Sequence, residues 1–374
     1  MVVSRTMKIL GIETTCDETG VGIVRDGVEI LANVVASSAS MHEKYGGIVP
    51  EVAAREQVKV IVPTLEETLR SAQCLISDID AIAVANGPGL VGSLLIGVET
   101  AKTLALVLDK PLIPVNHLIA HIYANWICEK VREVREVRDI RKVKTKTPEF
   151  PLIALIVTGG HTDLTLMAGH NKFKWLGGTL DDAAGEAFDK VARVLGLPYP
   201  GGPEVERIAQ KFKVQSSHLR NSFGGQAKFK VKLPRPMINE ENFDFSFSGL
   251  KTAVVNLVNR QSSIVNRNEI AYEFQQSVID VLVTKTLRAA KKFNVRSIVV
   301  GGGVAANSFL QNSMDAAGKD LGIRVYSPTK KLSVDNGVMI ATAAFFQKKF
   351  IDPLKISANP GLYFKKLLRT FSSR

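Results

Sequence analysis

Apolar positions along the chain fall into short strand-like runs, broken by glycine-rich bends and separated by stretches of helical spacing. That alternation predicts an α/β protein. MKILGIETT and GVGIVRDGVEILANVVA read as strands joined by a polar turn that holds Thr14, Thr15, Asp17 and Glu18. PLIALIVTGGHTDLTLMAG repeats the plan as strand, Gly/Thr-rich turn and strand. A second pair of segments also matches. DAIAVANGPGLVGSLLIGVETAKTLALVL reads as strand, glycine bend and helix, followed by the short strand PLIPVN and a helix that opens at His117. RSIVVGGGVAANSFLQNSMDAAGK follows the same order, then IRVYSP and a helix beginning near Asp335. The chain therefore reads as two halves of one design. At 374 residues it also exceeds what one core usually fills. The expected division is a first lobe at 1–116, to which a helix at 335–350 returns, a second lobe at 117–334, and a tail at 351–374. Two such lobes facing each other make a cleft beyond the carboxyl ends of their strands, where turn N–H groups suit phosphate.

One segment fits neither half. EKVREVREVRDIRKVKTKT, residues 129–147, puts Val or Ile at every third position and carries eight basic and four acidic residues. A spacing of three drifts around a helix, so an exposed basic arm is expected rather than a core stripe. The net charge of +12 favours an anionic partner, nucleic acid foremost, although a basic background composition explains it equally well. Cys16, Cys74 and Cys128 are scattered and form no CxxC pair, which argues for a reducing cytoplasm and against a disulfide framework. No apolar run spans a bilayer, and MVVSRTMKIL leaves no room for a signal peptide.

The candidate chemistry sits at bends. His117 and His121 in NHLIAH are one helical turn apart, so both rings leave one face with Cβ atoms about 6 Å apart. A metallopeptidase helix needs glutamate after the first histidine; Leu118 stands there, so proteolysis is disfavoured. The repeat supplies a third donor. Asp335 opens the equivalent helix of the second half, and facing halves would complete a set of two histidines and one carboxylate, suited to iron or zinc. The plainer alternative is polar residues at helix starts. Thr158, Gly159, Gly160 and His161 form a tight turn that a ligand could approach, or an ordinary hairpin turn. GGGVAANSF places Asn307 in a first helical turn after a glycine bend, a weak nucleotide signal by itself. Asp181, Asp182, Glu186, Asp189, Glu204 and Glu206 lie near YPGGP and could hold ribose hydroxyls, or form a solvated acidic face.

Together these stretches resemble one family, the tRNA threonylcarbamoyladenosine transferases (TsaD). The matching segments run nearly end to end: ILGIETTCDETGVGIV, HEKYGGIVPEVAAREQ, NGPGLVGSLLIGVETAK, NHLIAH, VTGGHT, DDAAGEAFDKVARVLGLPYPGGP, FSFSGLKTAV, GGGVAANS and DNGVMIATAA. The resemblance implies a two-domain actin-like (ASKHA) fold with duplicated α/β lobes and an interlobe cleft. It implies that His117, His121 and Asp335 bind one divalent metal ion per subunit, iron or zinc. It further implies that Ile156, Val157, Thr158, Gly159, Gly160, Asp189, Gly202, Glu206 and Asn307 contact the adenylate substrate, with Mg²⁺ able to accompany the nucleotide. The implied activity is transfer of threonylcarbamoyl from threonylcarbamoyl-AMP to the exocyclic amine of the adenosine 3′ of the anticodon, in tRNAs reading ANN codons. Bacterial members work with a homologous metal-free partner (TsaB) and a small ATPase (TsaE). Many bacterial relatives have Glu-Gly between the histidines where this chain has Ile119-Ala120, a change expected to touch only the surroundings of the ligands. The resemblance implies no role for the basic insertion, which directly follows the histidine helix and is expected to meet tRNA phosphate. Glu13 and Asp17, in the first turn, are the candidates for removing the amine proton.

Two rival classes are weighed. A small-metabolite kinase of the same fold would use ATP, a carboxylate and Mg²⁺, leaving the histidine pair unexplained. A non-catalytic scaffold would lack His117, His121 and Asp335 together.

Overall fold

The computed structural model describes residues 6–128, 147–223, 231–260 and 266–364. The basic insertion, apart from Thr147, and the last ten residues of the expected tail lie outside the described residues. The first sheet holds β1 (Lys8–Glu13), β2 (Glu18–Arg25), β3 (Glu29–Ser37), β4 (Ala81–Gly87) and β5 (Leu112–Asn116) in the order β3-β2-β1-β4-β5. The second holds β6 (Leu152–Val157), β7 (Thr162–Gly169), β8 (Lys172–Gly178), β9 (Ser297–Gly301) and β10 (Arg324–Tyr326) in the order β10-β9-β6-β7-β8. In each sheet the first three strands run antiparallel, and the fourth and fifth extend the first in parallel. The two sheets thus have one topology.

Two strands go beyond the sequence reading. GVGIVRDGVEILANVVA breaks at Asp26–Gly27, both at positive φ (52° and 75°), into the separate strands β2 and β3. KFKWLGG forms β8, the edge of the second sheet, which carries outward lysines of the kind that guard an edge.

The helices are α1 (Ala39–His42), α2 (Pro50–Ala72), α3 (Val91–Val107), α4 (His117–Tyr123), α5 (Ala184–Val194), α6 (Gly201–Phe223), α7 (Ser248–Arg260), α8 (Arg267–Lys292), α9 (Ser308–Asp320), α10 (Lys330–Ser333) and α11 (Gly337–Gln347). None among the described residues is long and apolar enough to cross a membrane. Period-two alternation sorts the strand residues into layers. Leu10, Ile12, Val21 and Ile23 pack outward under α2 and α3, whereas Ile9 and Val24 face inward. Likewise Ile153, Leu155 and Val157 pack under α5 to α9, whereas Leu152, Ala154 and Ile156 face inward. Between the two sheets lie α4 and α11, mostly apolar and buried along most of their length, with His117 and His121 the polar residues of α4.

Glycine lets α11 lie directly on the first sheet. A Cβ on Gly11 would come within 2.2 Å of the Gly337 carbonyl oxygen, and one on Gly22 within 2.5 Å of the Val338 nitrogen. No side chain fits between those backbones. The close approach fixes where α11 begins, and so where the residues just before it stand.

Candidate metal centre and nucleotide cleft

Asn116 ends β5 and caps α4: its Oδ1 accepts from Ile119 N at 3.1 Å, and its Nδ2 donates to the Leu362 carbonyl at 2.7 Å. His117 and His121 then stand one turn apart, buried, with ring centroids 4.6 Å from each other. On the other side, Asn336 caps α11 by accepting from Met339 N at 2.9 Å, and Asp335 immediately precedes that cap. Asp335 Oδ1 lies 3.1 Å from His121 Nε2 and 3.6 Å from His117 Nε2. The three donor atoms lie within 4.8 Å of one another, a spacing that one ion could bridge.

The surroundings suit a cation. Glu13 is fully buried; its Oε2 sits 2.9 Å from His117 Nδ1, and its Oε1 accepts from Thr15 N at 2.6 Å. A proton on Nδ1 shared with Glu13 leaves the Nε2 lone pair aimed at the shared point, the arrangement that orients metal-binding histidines. His121 Nδ1 has no hydrogen-bond partner among the described residues. Burial opposes charge on His117, yet the Glu13 and Asp335 carboxylates carry its proton affinity up to about 9. Burial also opposes charge on Asp335, but His117 and then His121 hold it down to about 2. The carboxylates draw positive charge to the point where the three donors converge, and a divalent ion would displace the proton there. The residues fit a metal of the zinc or iron kind.

The first turn is otherwise knotted to its neighbours. Gln57 donates to the carbonyls of Cys16 and Glu18, Ser93 to Cys16, and Ser38 to Asp17. Asp17 pairs with Glu18, whose carboxyl is pushed up to about 10 by burial and by the Asp335, Asp17 and Glu13 carboxylates. Glu13 and Asp17, the two candidate bases, therefore face His117 and the Glu18 carboxyl respectively.

The second turn is open. Its backbone closes through Thr158 N to the His161 carbonyl at 2.9 Å and His161 N to Thr158 Oγ1 at 3.0 Å. Gly159 and Gly160 are exposed, and a Cβ on either would meet nothing. Ile156 and Val157 are fully buried on opposite faces of β6, so only their backbone can meet a ligand. Gly185, at the start of α5, abuts Thr158 and Gly159. Asp189 Oδ1 accepts from Gly201 N at 2.7 Å at the start of α6, where Gly202 faces open space. Glu206 accepts from Ser308 N at 2.8 Å, next to Asn307. Asn307 caps α9 through Phe309 N and Leu310 N and donates to Gln275 Oε1 at 2.8 Å, so its carboxamide is already engaged in the fold. The structure thus joins these residues into one wall beside the metal group.

The profile of the family described as "TsaD: tRNA N6-adenosine threonylcarbamoyltransferase" matches residues 29–342. A protein of that name from Moorella thermoacetica is 45% identical over 361 residues, spanning 95% of this chain and 96% of that protein. Another, from Bacillus anthracis, is 46% identical over 369 residues, spanning 96% and 98%. The chain belongs to the TsaD family. It is a transferase, and its fold is actin-like: T. kodakarensis HypF, 15% identical, superposes with a TM-score of 0.56 over 91% of this chain and 47% of that one.

Three side chains of this TsaD-family cleft are missing from the sequence-based site. Glu18 joins the carboxylate cluster around Asp335. Tyr199, in YPGGP, has its phenol pushed up by burial and by the Asp17 and Asp189 carboxylates. His161 lies in the quoted VTGGHT turn. Only the motif itself signalled it, because nothing in the sequence shows where its ring goes.

Proposed function

We propose that this chain transfers threonylcarbamoyl from threonylcarbamoyl-AMP to N6 of the adenosine 3′ of the anticodon, in tRNAs that read ANN codons. The supporting observation is the joint placement of His117, His121 and Asp335, drawn from both halves of the repeat, at the edge of an open glycine turn. AMP is already a competent leaving group, so positioning and charge stabilisation are what the protein must provide. His117, His121 and Asp335 would hold one iron or zinc ion per subunit. When bound, the ion supplies Lewis-acid polarisation of the carbamoyl carbonyl.

The chain's own residues do the rest. Glu13 fixes the His117 ring. The N–H groups of Gly159 and Gly160 face the nucleotide phosphate, and the wall of Asp189, Gly202, Glu206 and Asn307 receives the ribose and base. A lobe division near residues 116 and 335, a TsaB-like partner, a TsaE-like ATPase and a cytoplasmic site belong to the same reading. Purified chain, with those partners, is mixed with threonylcarbamoyl-AMP and unmodified tRNA, and the nucleosides are read by mass spectrometry. A threonylcarbamoyladenosine adduct that disappears in His117→Ala is the expected result. ATP-dependent phosphorylation of a small metabolite without any adduct would instead mark a kinase.

A further inference from the structure

Besides α4 and α11, which pack between the two sheets, one loop of the first half reaches a helix of the second. It is the segment between β3 and α2, residues 38–49, and both of its ends are rooted beside the first turn. Ser38 donates to the Asp17 carbonyl through N at 3.1 Å and through Oγ at 2.9 Å. The fully buried His42 ring gathers in the far end. Val49 N donates to its Nδ1 at 3.3 Å, and its Nε2 lies 3.2 Å from Ser38 Oγ. A neutral ring that accepts at Nδ1 carries its proton on Nε2, so it donates to Ser38 and closes the base of the loop.

The tip of the loop leaves its own half. Gly46 stands at φ 67°, a conformation glycine takes without strain, and its carbonyl accepts from Nη2 of Arg193, 147 positions away. A Cβ on Gly46 would come within 3.4 Å of that same nitrogen. Arg193 lies in the last turn of α5, one turn after Asp189, so the two side chains leave one face of the helix. Asp189 holds the start of α6 through Gly201 N, and the Arg193 charge favours its ionised form. The Arg193–Gly46 bond therefore joins a loop rooted at Asp17 to the helix that carries Asp189. Those two residues belong to opposite halves of the cleft. The Arg193 side chain is exposed and its guanidinium makes no other hydrogen bond or ion pair among the described residues. An exposed arginine so placed adds little to the stability of its own helix.

We infer that Arg193 is a positioning residue that latches the 38–49 loop across the cleft and so retains the adenylate between the two halves. This rests on the transferase reading above. Loops that close over a ligand commit it to reaction and keep water away from it, and they must also open once per turnover. One charge-assisted hydrogen bond to a backbone carbonyl suits that demand, since it slows escape and still breaks readily.

The test is release of labelled threonylcarbamoyl-AMP from the full chain with its partners, without tRNA, chased with excess AMP. Arg193→Met keeps the aliphatic stem and removes the donors, so release should be about 10-fold faster and KM for threonylcarbamoyl-AMP should rise about as much. The single-turnover rate at saturating threonylcarbamoyl-AMP should stay within about 2-fold of the parent's, with the metal content and the melting temperature unchanged. Arg193→Lys restores a charged donor and should bring release back to within about 3-fold of the parent's. Parental release and KM in Arg193→Met overturn the inference alone, as does a saturating rate that falls while release stays parental. If the parent chain makes no adduct with tRNA, the transferase reading falls and this inference with it.

Discussion

The two turns that meet at the cleft share a backbone plan and differ in what fills it. The last residue of β1 is Glu13, which holds His117; the last residue of β6 is Val157, which packs into the outer core. The first turn is tied down by Thr15, Ser38, Gln57 and Ser93. The second presents Gly159 and Gly160 to open space. A duplicated fold offers two equivalent positions, and residue type decides their work. A crowded turn orders a side chain, whereas a bare one offers its N–H groups to a ligand.

The largest effect that would break this contrast is loss of the centre itself. His117→Ala and Asp335→Ala should each strip the metal and lower transfer by more than about 100-fold, read by elemental analysis and adduct formation. Normal activity in a metal-free variant would separate the crowded turn from the chemistry. Next comes the support beneath Asp335. Gly22→Ala forces a methyl into the Val338 backbone, so it should cost about 2–3 kcal/mol in unfolding free energy and loosen the metal. Glu13→Gln is gentler and more discriminating. With Glu13 as a holder, metal affinity falls about 10- to 100-fold and excess metal restores the rate. A rate that stays low at saturating metal would return Glu13 to the role of base. On the bare side, Gly159→Ala should leave stability within about 0.5 kcal/mol, since nothing stands opposite, yet raise KM for threonylcarbamoyl-AMP.

Much of this was legible in the letters, and what was not has a physical reason. Strand–bend–helix order is local and repeats, so the paired plan and the helix starts at His117 and near Asp335 can be read directly. The pairing of Glu13 with His117 spans 104 positions and is set by strand order, which no local pattern encodes. From the letters alone, Glu13 therefore reads as a candidate for proton transfer on its chemistry. Asn307 shows the opposite limit. Its place after a glycine bend is readable, but a cap and a ligand contact have the same local signature, and only the bonds to Phe309, Leu310 and Gln275 reveal how its carboxamide is used. The glycines under α11 look like ordinary small strand residues until the helix that needs them is in place.

The smallest test concerns the ladders behind the turns. In the first hairpin Ile12 faces Val21; in the second the matching pair is Ile156 and Asp163. A carboxyl thus occupies a position that its counterpart fills with a buried valine. Burial pushes Asp163 up to about 6, although Trp175 Nε1, which donates to its Oδ1 at 2.8 Å, works the other way. The folded state therefore holds a proton that the unfolded chain has lost between about pH 4 and pH 6, and stability falls as pH rises through that window. Asp163→Asn keeps an acceptor for Trp175 and cannot ionise. Its unfolding free energy should match the parent's near pH 4 and exceed it by about 2 kcal/mol at pH 7, as followed by thermal melts across that range. A gap that stays constant with pH would mean that the carboxyl ionises as freely as on the surface, and the second ladder would then be no more strained than the first.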